Sequence, residues 1–266
     1  MNLNIIDTHA HLDMPEFDPD RDEVIKRAQD SGVTTIITIG IDLKSSREAI
    51  KLAEKHAGVF ASVGIHPQES KNALKKDTDN LVEMTNHPRV VAIGELGLDF
   101  YRNFSPREAQ FLVLQWELEI AKQTELPIIV HCRQAQNELP AILSRWCESY
   151  PLPEGKARGV IHCFNGNLKT VELYLKMGFY ISLGAYIGYP SAAELRNTLK
   201  DIALDKIVIE TDCPFLPPQK YRGQRNEPCN TLITLGVLAD IQGVTLEKAA
   251  LQTTQNAQKV FNLPVS

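Results

Sequence analysis

Two histidines stand two residues apart near the start of the chain. His9 and His11 end a run that has strand character from Ile5 onward. Because successive side chains on an extended strand point to opposite faces, these two imidazoles point the same way and can chelate one metal ion if further ligands arrive from elsewhere. Two polar residues that merely leave a strand give the same pattern. The positions of the other histidines and acids therefore decide whether this pair predicts a metal site.

Other potential ligands also follow short apolar runs. Five of the seven histidines fall at the end of such a run, whereas His56 and His87 fall in or beside helical segments. One glutamate and one aspartate share this placement. The full set is His9, His11, His66, Glu95, His131, His162 and Asp212. This repeated placement predicts one common site if the fold brings the strand ends together.

The elements that must position these residues alternate along the chain. Short runs rich in valine and isoleucine predict strands at 3–8, 33–40, 59–64, 90–94, 127–131, 158–162, 179–184 and 206–211. Helices are predicted between them and after the last strand, at 20–31, 45–58, 105–124, 167–176, 230–241 and 245–261. Two of these helices begin with apparent capping motifs, in which Ser45 and Ser105 would be the N-caps.

Eight strands that alternate with helices predict an α/β fold, a parallel sheet closed into a (β/α)8 TIM barrel. An open doubly wound sheet is the alternative, but no Gly-x-Gly-x-x-Gly follows the first strand. In a barrel the C-terminal ends of the strands meet at one mouth, where catalytic residues lie. Imidazole and carboxylate ligands gathered there suit Zn, Mn, Fe or Ni, and also Mg if water completes the shell. Glu95, between the histidine pairs, is placed to bridge two ions, which could activate a water.

Composition limits the classes of protein to consider. The chain has 266 residues, 43% of them hydrophobic, which predicts a single domain over 1–266. A net charge of -5 argues against a broad basic surface but leaves room for a local basic patch. No apolar run approaches the ~20 residues that span a bilayer, and no secretion signal is present. Five cysteines without a Cys-x-x-Cys argue against a disulfide framework. A cytoplasmic protein with no membrane and no obligate protein partner is predicted.

The candidate ligands lie within longer motifs. These are Asp7-Thr8-His9-Ala10-His11-Leu12, Gly64-Ile65-His66-Pro67, Gly94-Glu95-Leu96-Gly97-Leu98-Asp99, His131-Cys132-Arg133, His162-Cys163-Phe164, Glu210-Thr211-Asp212-Cys213-Pro214-Phe215-Leu216, Arg225-Asn226-Glu227-Pro228 and Asn256-Ala257 before Val260-Phe261. In these stretches the chain resembles the TatD family of metal-dependent deoxyribonucleases. The resemblance covers essentially the whole chain in order, and the set of motifs is highly specific. One departure is Asn165, which stands where relatives often carry serine.

The resemblance implies an amidohydrolase-like barrel with two divalent metal ions, for which Mg, Mn and Zn are candidates. By this analogy one ion would be held by His9, His11, Glu95 and Asp212, and the other by Glu95, His131 and His162. Glu95 and Asp212 are the predicted catalytic residues. Glu95 would contact both ions, and Asp212 can also hold or deprotonate the attacking water.

Three further residues are predicted to contact the substrate. His66 follows the third strand and can meet a phosphate, although it could simply cap the strand before Pro67. Arg133, two residues beyond His131, can pair with phosphate through both arms of its guanidinium or form a salt bridge to a loop acid instead. Arg225 is included because it follows strand 8 on the side of the mouth and belongs to the Arg-Asn-Glu-Pro motif of the family.

Three cysteines, Cys132, Cys163 and Cys213, each follow a candidate ligand directly. Alternation along a strand predicts that they point away from the site and pack between strands and helices.

These observations together predict a metal-dependent hydrolase that cleaves DNA phosphodiester bonds with a metal-activated water, acting as a 3′–5′ exonuclease on single-stranded ends. Two alternatives use the same ligands: an amidohydrolase or esterase that acts on a small molecule, and a deacylase of D-aminoacyl-tRNA. Charge around the mouth distinguishes them, since arginines that bind phosphate favour a nucleic acid. A non-enzymatic binding module would require a degraded site, and every expected ligand is present.

Overall fold

A computed structural model describes residues 3–264 and shows a parallel eight-stranded sheet in the order β1 to β8. The first and last strands are joined by a parallel bridge between Ala10 and Cys213 and by backbone hydrogen bonds around it, which brings the sheet round into a TIM barrel. The strands are β1 Ile5–Ala10, β2 Val33–Ile39, β3 Val59–Val63, β4 Val90–Asp99, β5 Ile128–Arg133, β6 Gly159–Ile161, β7 Phe179–Leu183 and β8 Ile207–Ile209. All eight predicted strands and the predicted fold are confirmed.

Helices connect the strands and cover the outside of the barrel. They are α1 Arg21–Asp30, α2 Leu43–Lys55, α3 Asp77–Thr85, α4 Arg107–Thr124, α5 Leu139–Ser149, α6 Leu168–Lys176, α7 Ala193–Lys200, α8 Thr231–Gln242 and α9 Leu246–Phe261. The sequence predicted six of them and missed α3, α5 and α7. Among residues 3–264 no single helix is long and apolar enough to cross a membrane, and the pair 228–242 and 246–261, bent by 109°, meets those criteria only jointly.

Both predicted serine caps are wrong. The N-cap of α2 is Asp42, whose carboxylate accepts a hydrogen bond from the backbone N–H of Ser45. The serine hydroxyl instead donates to Asp13 at 2.6 Å. Ser105 donates its hydroxyl to the carbonyl of Gln68 and accepts from the N–H of Lys71, so it joins two loops and leaves the start of α4 without a side-chain cap. In each case a partner distant in sequence replaced the local capping interaction.

Two layers of apolar side chains hold the barrel. One set of alternate strand residues packs outward against the helices, as Ile5, Ala61, Val130 and other members of the larger core cluster do. The other set points inward and forms a smaller cluster with the end of α9. Its main members are Ile6, Ile37, Phe60, Ile129, Val160, Tyr180, Val208, Val260 and Phe261. Because α9 fills one end of the barrel, the opposite mouth is left for polar residues.

The sequence predicted that β4 ends at Gly94, but the strand continues for five more residues to Asp99. This extension carries Glu95. The pairing of β4 with β5 shifts register between Ile93 and Leu96, so Glu95 lies in an irregular step of the ladder. Such irregularities re-aim side chains near active sites. Gly97, which has a φ of 143°, permits the close approach, since a Cβ there would overlap the carbonyl oxygen of His131.

Candidate active site

The C-terminal ends of the strands surround a cavity of about 870 Å³. Its lining includes five of the predicted ligands, His11, Glu95, His131, His162 and Asp212, together with His66 and Arg133. His9 lies directly beneath and is fully buried. The structure thus brings together all six predicted metal ligands and two of the three predicted substrate contacts.

The first group of donor atoms lies between β1, β4 and β8. The Nε2 atoms of His9 and His11 are 3.3 Å apart, His9 Nε2 is 3.3 Å from Glu95 Oε2, and His11 Nε2 is 3.4 Å from Asp212 Oδ1. Donor atoms placed about 2.1 Å from a tetrahedral ion lie about 3.4 Å from one another. The spacing of this group therefore fits a shared divalent ion.

The second group lies around the other oxygen of the same carboxylate. Oε1 of Glu95 is 2.7 Å from Nδ1 of His131 and 3.6 Å from Nε2 of His162. His162 also stacks on His9, with ring centroids 3.6 Å apart, and so connects the two groups. Glu95 directs Oε2 to the first group and Oε1 to the second. The donor atoms that lie within 4.8 Å of one another form two sets that share this carboxylate, one with His9 and His162 and the other with His66 and His131.

Each histidine of the second group is oriented by a further carboxylate. Glu210 accepts a hydrogen bond from Nδ1 of His162 at 3.0 Å, which leaves Nε2 directed at the cluster. Asp99 lies 3.2 Å from Nε2 of His131, which leaves Nδ1 directed at Glu95. Carboxylates in this position fix the tautomer and ring orientation of metal-binding histidines and raise their basicity. Among residues 3–264, neither His9 nor His11 has a comparable partner on Nδ1.

The charge of Glu95 is stabilised by its neighbours. Burial by itself would raise the pKa of this carboxyl, but His162, His9 and His66 and the hydrogen bond with His131 hold the pKa well below its ordinary value. Burial acts against the charged form of His131 also, yet hydrogen bonds with Asp99 and Glu95 raise the pKa of this imidazole. The site therefore concentrates negative charge where a cation can bind.

His66 differs from the other histidines of the cavity. Its Nδ1 accepts a hydrogen bond from the backbone N–H of Gln68 at 3.1 Å, and burial lowers the pKa of its imidazole to about 3. A neutral imidazole whose Nδ1 accepts carries its proton on Nε2. That Nε2 lies 3.7 Å from Glu95 Oε1, so His66 offers an N–H donor to the cavity rather than a lone pair to an ion.

Asp7 joins the ends of the first and last strands. Its carboxylate accepts hydrogen bonds from the backbone N–H of His9 and Thr211 and from the Thr211 hydroxyl at 2.6 Å. Burial raises the pKa of Asp7 to about 7, although these hydrogen bonds oppose the shift. The N–H of Asp212 donates to the carbonyl of His9 at 2.9 Å. These contacts hold His9 and Asp212 in register across the closure of the barrel.

The structure does not bring Arg225 to the cavity. Its guanidinium pairs with Asp20 at 2.7 Å and with Glu227 at 2.9 Å on the outer side of the loop after β8. The adjacent Asn226 is fully buried and donates to the carbonyls of Thr211 and Phe215. The motif that contains both residues thus shapes the loop that follows Asp212, and Arg225 has no part in the substrate site proposed below.

The prediction for the cysteines fails for Cys163. This residue lines the cavity, and its Sγ lies 4.0 Å from Oδ2 of Asp212. Because β6 ends at Ile161 and Cys163 has a φ of 44°, strand alternation no longer determines its direction. Cys213 is buried as predicted, and Cys132 packs against the core although it also touches the cavity.

Arginines stand on the rim of the cavity beside β4 and β5. Arg102 and Arg133 are exposed and line the cavity. The guanidinium of Arg133 lies 4.1 Å from the ring centroid of Tyr101, a cation–π contact, rather than in the predicted alternative salt bridge to a loop acid. Its charge is therefore available to an anion in the cavity.

Replacing Glu210 tests the role of the orienting carboxylates. We expect Glu210→Gln to lower metal affinity or turnover about 10- to 100-fold, because an amide accepts more weakly from His162 and makes the imidazole less basic. Metal titration and kinetics of the variant would measure this. Glu172→Gln, on the exposed face of α6, is the matched control and is expected to match the wild type. Wild-type metal affinity and rate in Glu210→Gln would contradict the assignment.

Three site residues were not singled out by the sequence as positioning groups: Asp7, Asp99 and Glu210. Each lies within one of the matching motifs, close to a predicted ligand. A signal existed for Asp7 and Glu210, since each is an acid two residues from a predicted ligand and such acids often orient metal-binding groups, whereas Asp99 is four residues from Glu95. The partner of Glu210 could not be inferred, because Glu210 and His162 are 48 residues apart in the chain.

A comparison with protein families identifies one that matches residues 6–262, described as "TatD related DNase". An uncharacterized metal-dependent hydrolase, YabD of Bacillus subtilis, is 35% identical over 97% of this chain and 99% of its own length. The 3'-5' ssDNA/RNA exonuclease TatD of Salmonella typhimurium is 33% identical over 97% of this chain and 99% of its own length.

Solved structures show the same relationship. The TatD homolog YjjV of Escherichia coli K12 superposes with a TM-score of 0.92 at 30% identity, covering 99% of this chain and 100% of its own. A lactonase of Deinococcus radiodurans superposes with a TM-score of 0.65 at 16% identity, which shows a shared barrel fold and nothing finer.

Proposed function

The chain belongs to the TatD family of metal-dependent hydrolases, and from this premise we propose that it is a deoxyribonuclease that removes nucleotides from the 3′ end of a single strand. The observation that carries the proposal is the position of the donor cluster. It lies at the floor of a cavity whose rim presents two exposed arginines, Arg102 and Arg133. A phosphodiester places its negative charge on the oxygens that such a floor and rim can bind.

Six residues would hold two divalent ions in this proposal, and when bound the ions supply Lewis acidity at the phosphate. His9, His11 and Asp212 serve one position, His131 and His162 serve the other, and Glu95 serves both. The identity of the ions, Mg, Mn or Zn, is part of what is to be tested. The donor set of imidazoles and carboxylates is compatible with each of them.

The protein's own groups have distinct tasks. Asp212 accepts the proton of the water that attacks phosphorus. The bond from phosphorus to the 3′ oxygen of the preceding nucleotide breaks, and this oxygen takes up a proton from solvent and leaves as the new 3′ hydroxyl. His66 donates its Nε2–H to a non-bridging oxygen of the scissile phosphate. Arg133 pairs with the neighbouring phosphate, where a charge-assisted hydrogen bond is worth about 1.5–3 kcal/mol.

The shape of the mouth supports a single-stranded end as substrate. The ligand cluster is buried at the bottom of the cavity, with His9 and Glu95 almost inaccessible. A recessed floor admits a frayed or free strand end more readily than a duplex. The curated relatives named as 3'-5' ssDNA/RNA exonucleases at 33% identity are consistent with this choice.

The test is a turnover screen with the metal-loaded protein on 5′- and 3′-labelled DNA and RNA strands beside an amide, an ester and a D-aminoacyl-tRNA. We expect stepwise shortening from the 3′ end. We expect Arg133→Gln to raise KM about 10-fold and to reduce the salt dependence of KM, because one phosphate contact is lost.

Arg145→Gln, exposed on α5 away from the mouth, is the matched control for that substitution. Unchanged DNA cleavage by Arg133→Gln would contradict the proposed contact between Arg133 and a substrate phosphate. Turnover of the amide, the ester or the aminoacyl-tRNA without any cleavage of strands would replace the nuclease proposal by one of its alternatives.

A further inference from the structure

Two phenylalanines stand exposed on the wall of the cavity. Among residues 3–264, seven large apolar side chains are exposed, and of these only Phe104 and Phe215 line the cavity. Phe104 is 57% exposed and Phe215 is 46% exposed. Since leaving an aromatic ring in water forgoes the free energy of its burial, two such rings in one cavity suggest a ligand that covers them.

The two rings occupy opposite walls. Phe104 lies between β4 and α4, and Phe215 lies between β8 and α8. In an eight-stranded barrel with the order β1 to β8, these two strands are four positions apart and face each other across the mouth. A bound molecule that reaches the predicted metal ligands at the floor of the cavity passes between the two rings, with one on each side.

Phe215 is held next to the ligand cluster. Its ring centroid is 6.0 Å from that of His11, in an edge-to-face arrangement. The backbone carbonyl of Phe215 accepts a hydrogen bond from the buried side chain of Asn226 at 2.8 Å. The backbone that carries the exposed ring is therefore anchored and one edge of the ring rests against His11, which suits a platform that is in place before the ligand arrives.

The opposite wall combines its aromatic ring with positive charge. Arg102 and Arg133 line the cavity on the same side as Phe104. An occupant of this cavity must therefore present flat apolar faces to both walls and anionic groups to the arginines. It must also present an anionic group to the metal ions that the floor would hold. The terminal nucleotides of a single strand have this combination of base and phosphate. An apolar peptide would bring no anion to the arginines and the floor.

We infer that Phe104 and Phe215 are base-stacking platforms that receive the unpaired bases on the two sides of the scissile phosphate. This inference rests on the proposed function and deepens it. Stacking uses the face of a base, which is shared by all four bases, so these platforms select for unpaired strands without selecting a sequence. Bases that stay paired within a duplex cannot separate to reach two opposite walls.

The test is a thermodynamic cycle in which each protein variant is measured with a normal DNA strand and with a strand that lacks the terminal bases. Fluorescence anisotropy with the metal-loaded protein measures the Kd of a labelled octanucleotide whose last linkages are nuclease-resistant phosphorothioates, and of the same strand with abasic sites in its last two positions. We expect Phe104→Ala and Phe215→Ala each to weaken binding of the normal strand about 10-fold. The same substitutions are expected to change binding of the abasic strand less than twofold, and Phe215→Trp is expected to retain tight binding.

Leu251→Ala, which removes an exposed leucine from α9 outside the cavity, is the control and is expected to leave both Kd values unchanged. An equal loss on the normal and the abasic strand, or no loss on the normal strand, would overturn the inference. Absence of any binding by the wild type would overturn it as well.

Failure of the proposed function has a different signature. It appears as absence of strand cleavage by the metal-loaded wild type, whatever residues stand on the walls. If the wild type cleaves DNA but the phenylalanine substitutions weaken the normal and the abasic strand equally, the nuclease proposal stands and only the stacking platforms are rejected.

Discussion

Replacing Glu95 by glutamine is expected to lower kcat by about three orders of magnitude, since a bound metal contributes several kcal/mol to the transition state and each 1.36 kcal/mol is a factor of ten. The reason is the position of this side chain. Oε2 lies 3.3 Å from His9 and Oε1 lies 2.7 Å from His131, so one carboxylate serves both groups of donors. An amide presents one oxygen and one NH2 group and cannot bridge two cations.

Steady-state kinetics and the metal content of the purified variant would measure the effect together. We expect the number of tightly bound ions to fall in parallel with kcat, while the far-UV circular dichroism spectrum is retained. The control is Glu172→Gln, which also removes one negative charge but from the exposed surface of α6. Wild-type turnover in Glu95→Gln would refute the central role of this residue.

Removing divalent metal is expected to abolish turnover and to lower the thermal midpoint by about 5–10 °C. An ion present at 100 times its Kd stabilises the folded state by about 2.7 kcal/mol, and each kcal/mol shifts the midpoint of a domain of this size by about 2–4 °C. The structure explains why the metal-free site is costly. The Nε2 atoms of His9 and His11 lie 3.3 Å apart beside the buried carboxylate of Glu95, and a cation would bind these crowded donor atoms.

Differential scanning calorimetry of the EDTA-treated protein, before and after addition of Mg, Mn or Zn, would test this expectation. The ion that restores both the midpoint and turnover at the lowest concentration identifies the preferred metal. Glu95→Gln serves as the internal control, because its midpoint is expected to respond much less to added metal. Full activity after exhaustive chelation would be incompatible with the proposed mechanism.

The fold could be predicted because its signal is local and repeated. Each strand is a short run rich in branched apolar residues, and eight such runs alternate with helical segments. Parallel strands buried on both faces need this composition whatever their neighbours are. Length does not separate the missed helices from the predicted ones, since α1 and α6 are only 10 and 9 residues long. A glycine soon after each of these two helices, Gly32 or Gly178, marked its end, whereas α3, α5 and α7 have neither such a glycine nor a side-chain N-cap.

The failures at Ser45 and Ser105 have a common cause. A hydroxyl that could satisfy a nearby backbone N–H instead donates to Asp13 or to the carbonyl of Gln68, which are distant in the chain. The same cause explains Arg225, whose charge is paired with Asp20 across 205 residues. Long-range partners change the role of a polar residue without leaving a mark in its immediate sequence.

The sequence by itself determined that the chain folds as a barrel and that His9, His11, Glu95, His131, His162 and Asp212 stand at its strand ends, because strand composition and ligand position are properties of single segments. Only the tertiary structure decided the finer arrangement. It directed one oxygen of Glu95 to each group of donors, turned Nδ1 of His66 to the backbone N–H of Gln68, and brought Phe104 and Phe215 to the same cavity. These features depend on angles and distances between segments that are far apart in the chain, and packing of the whole barrel fixes those distances.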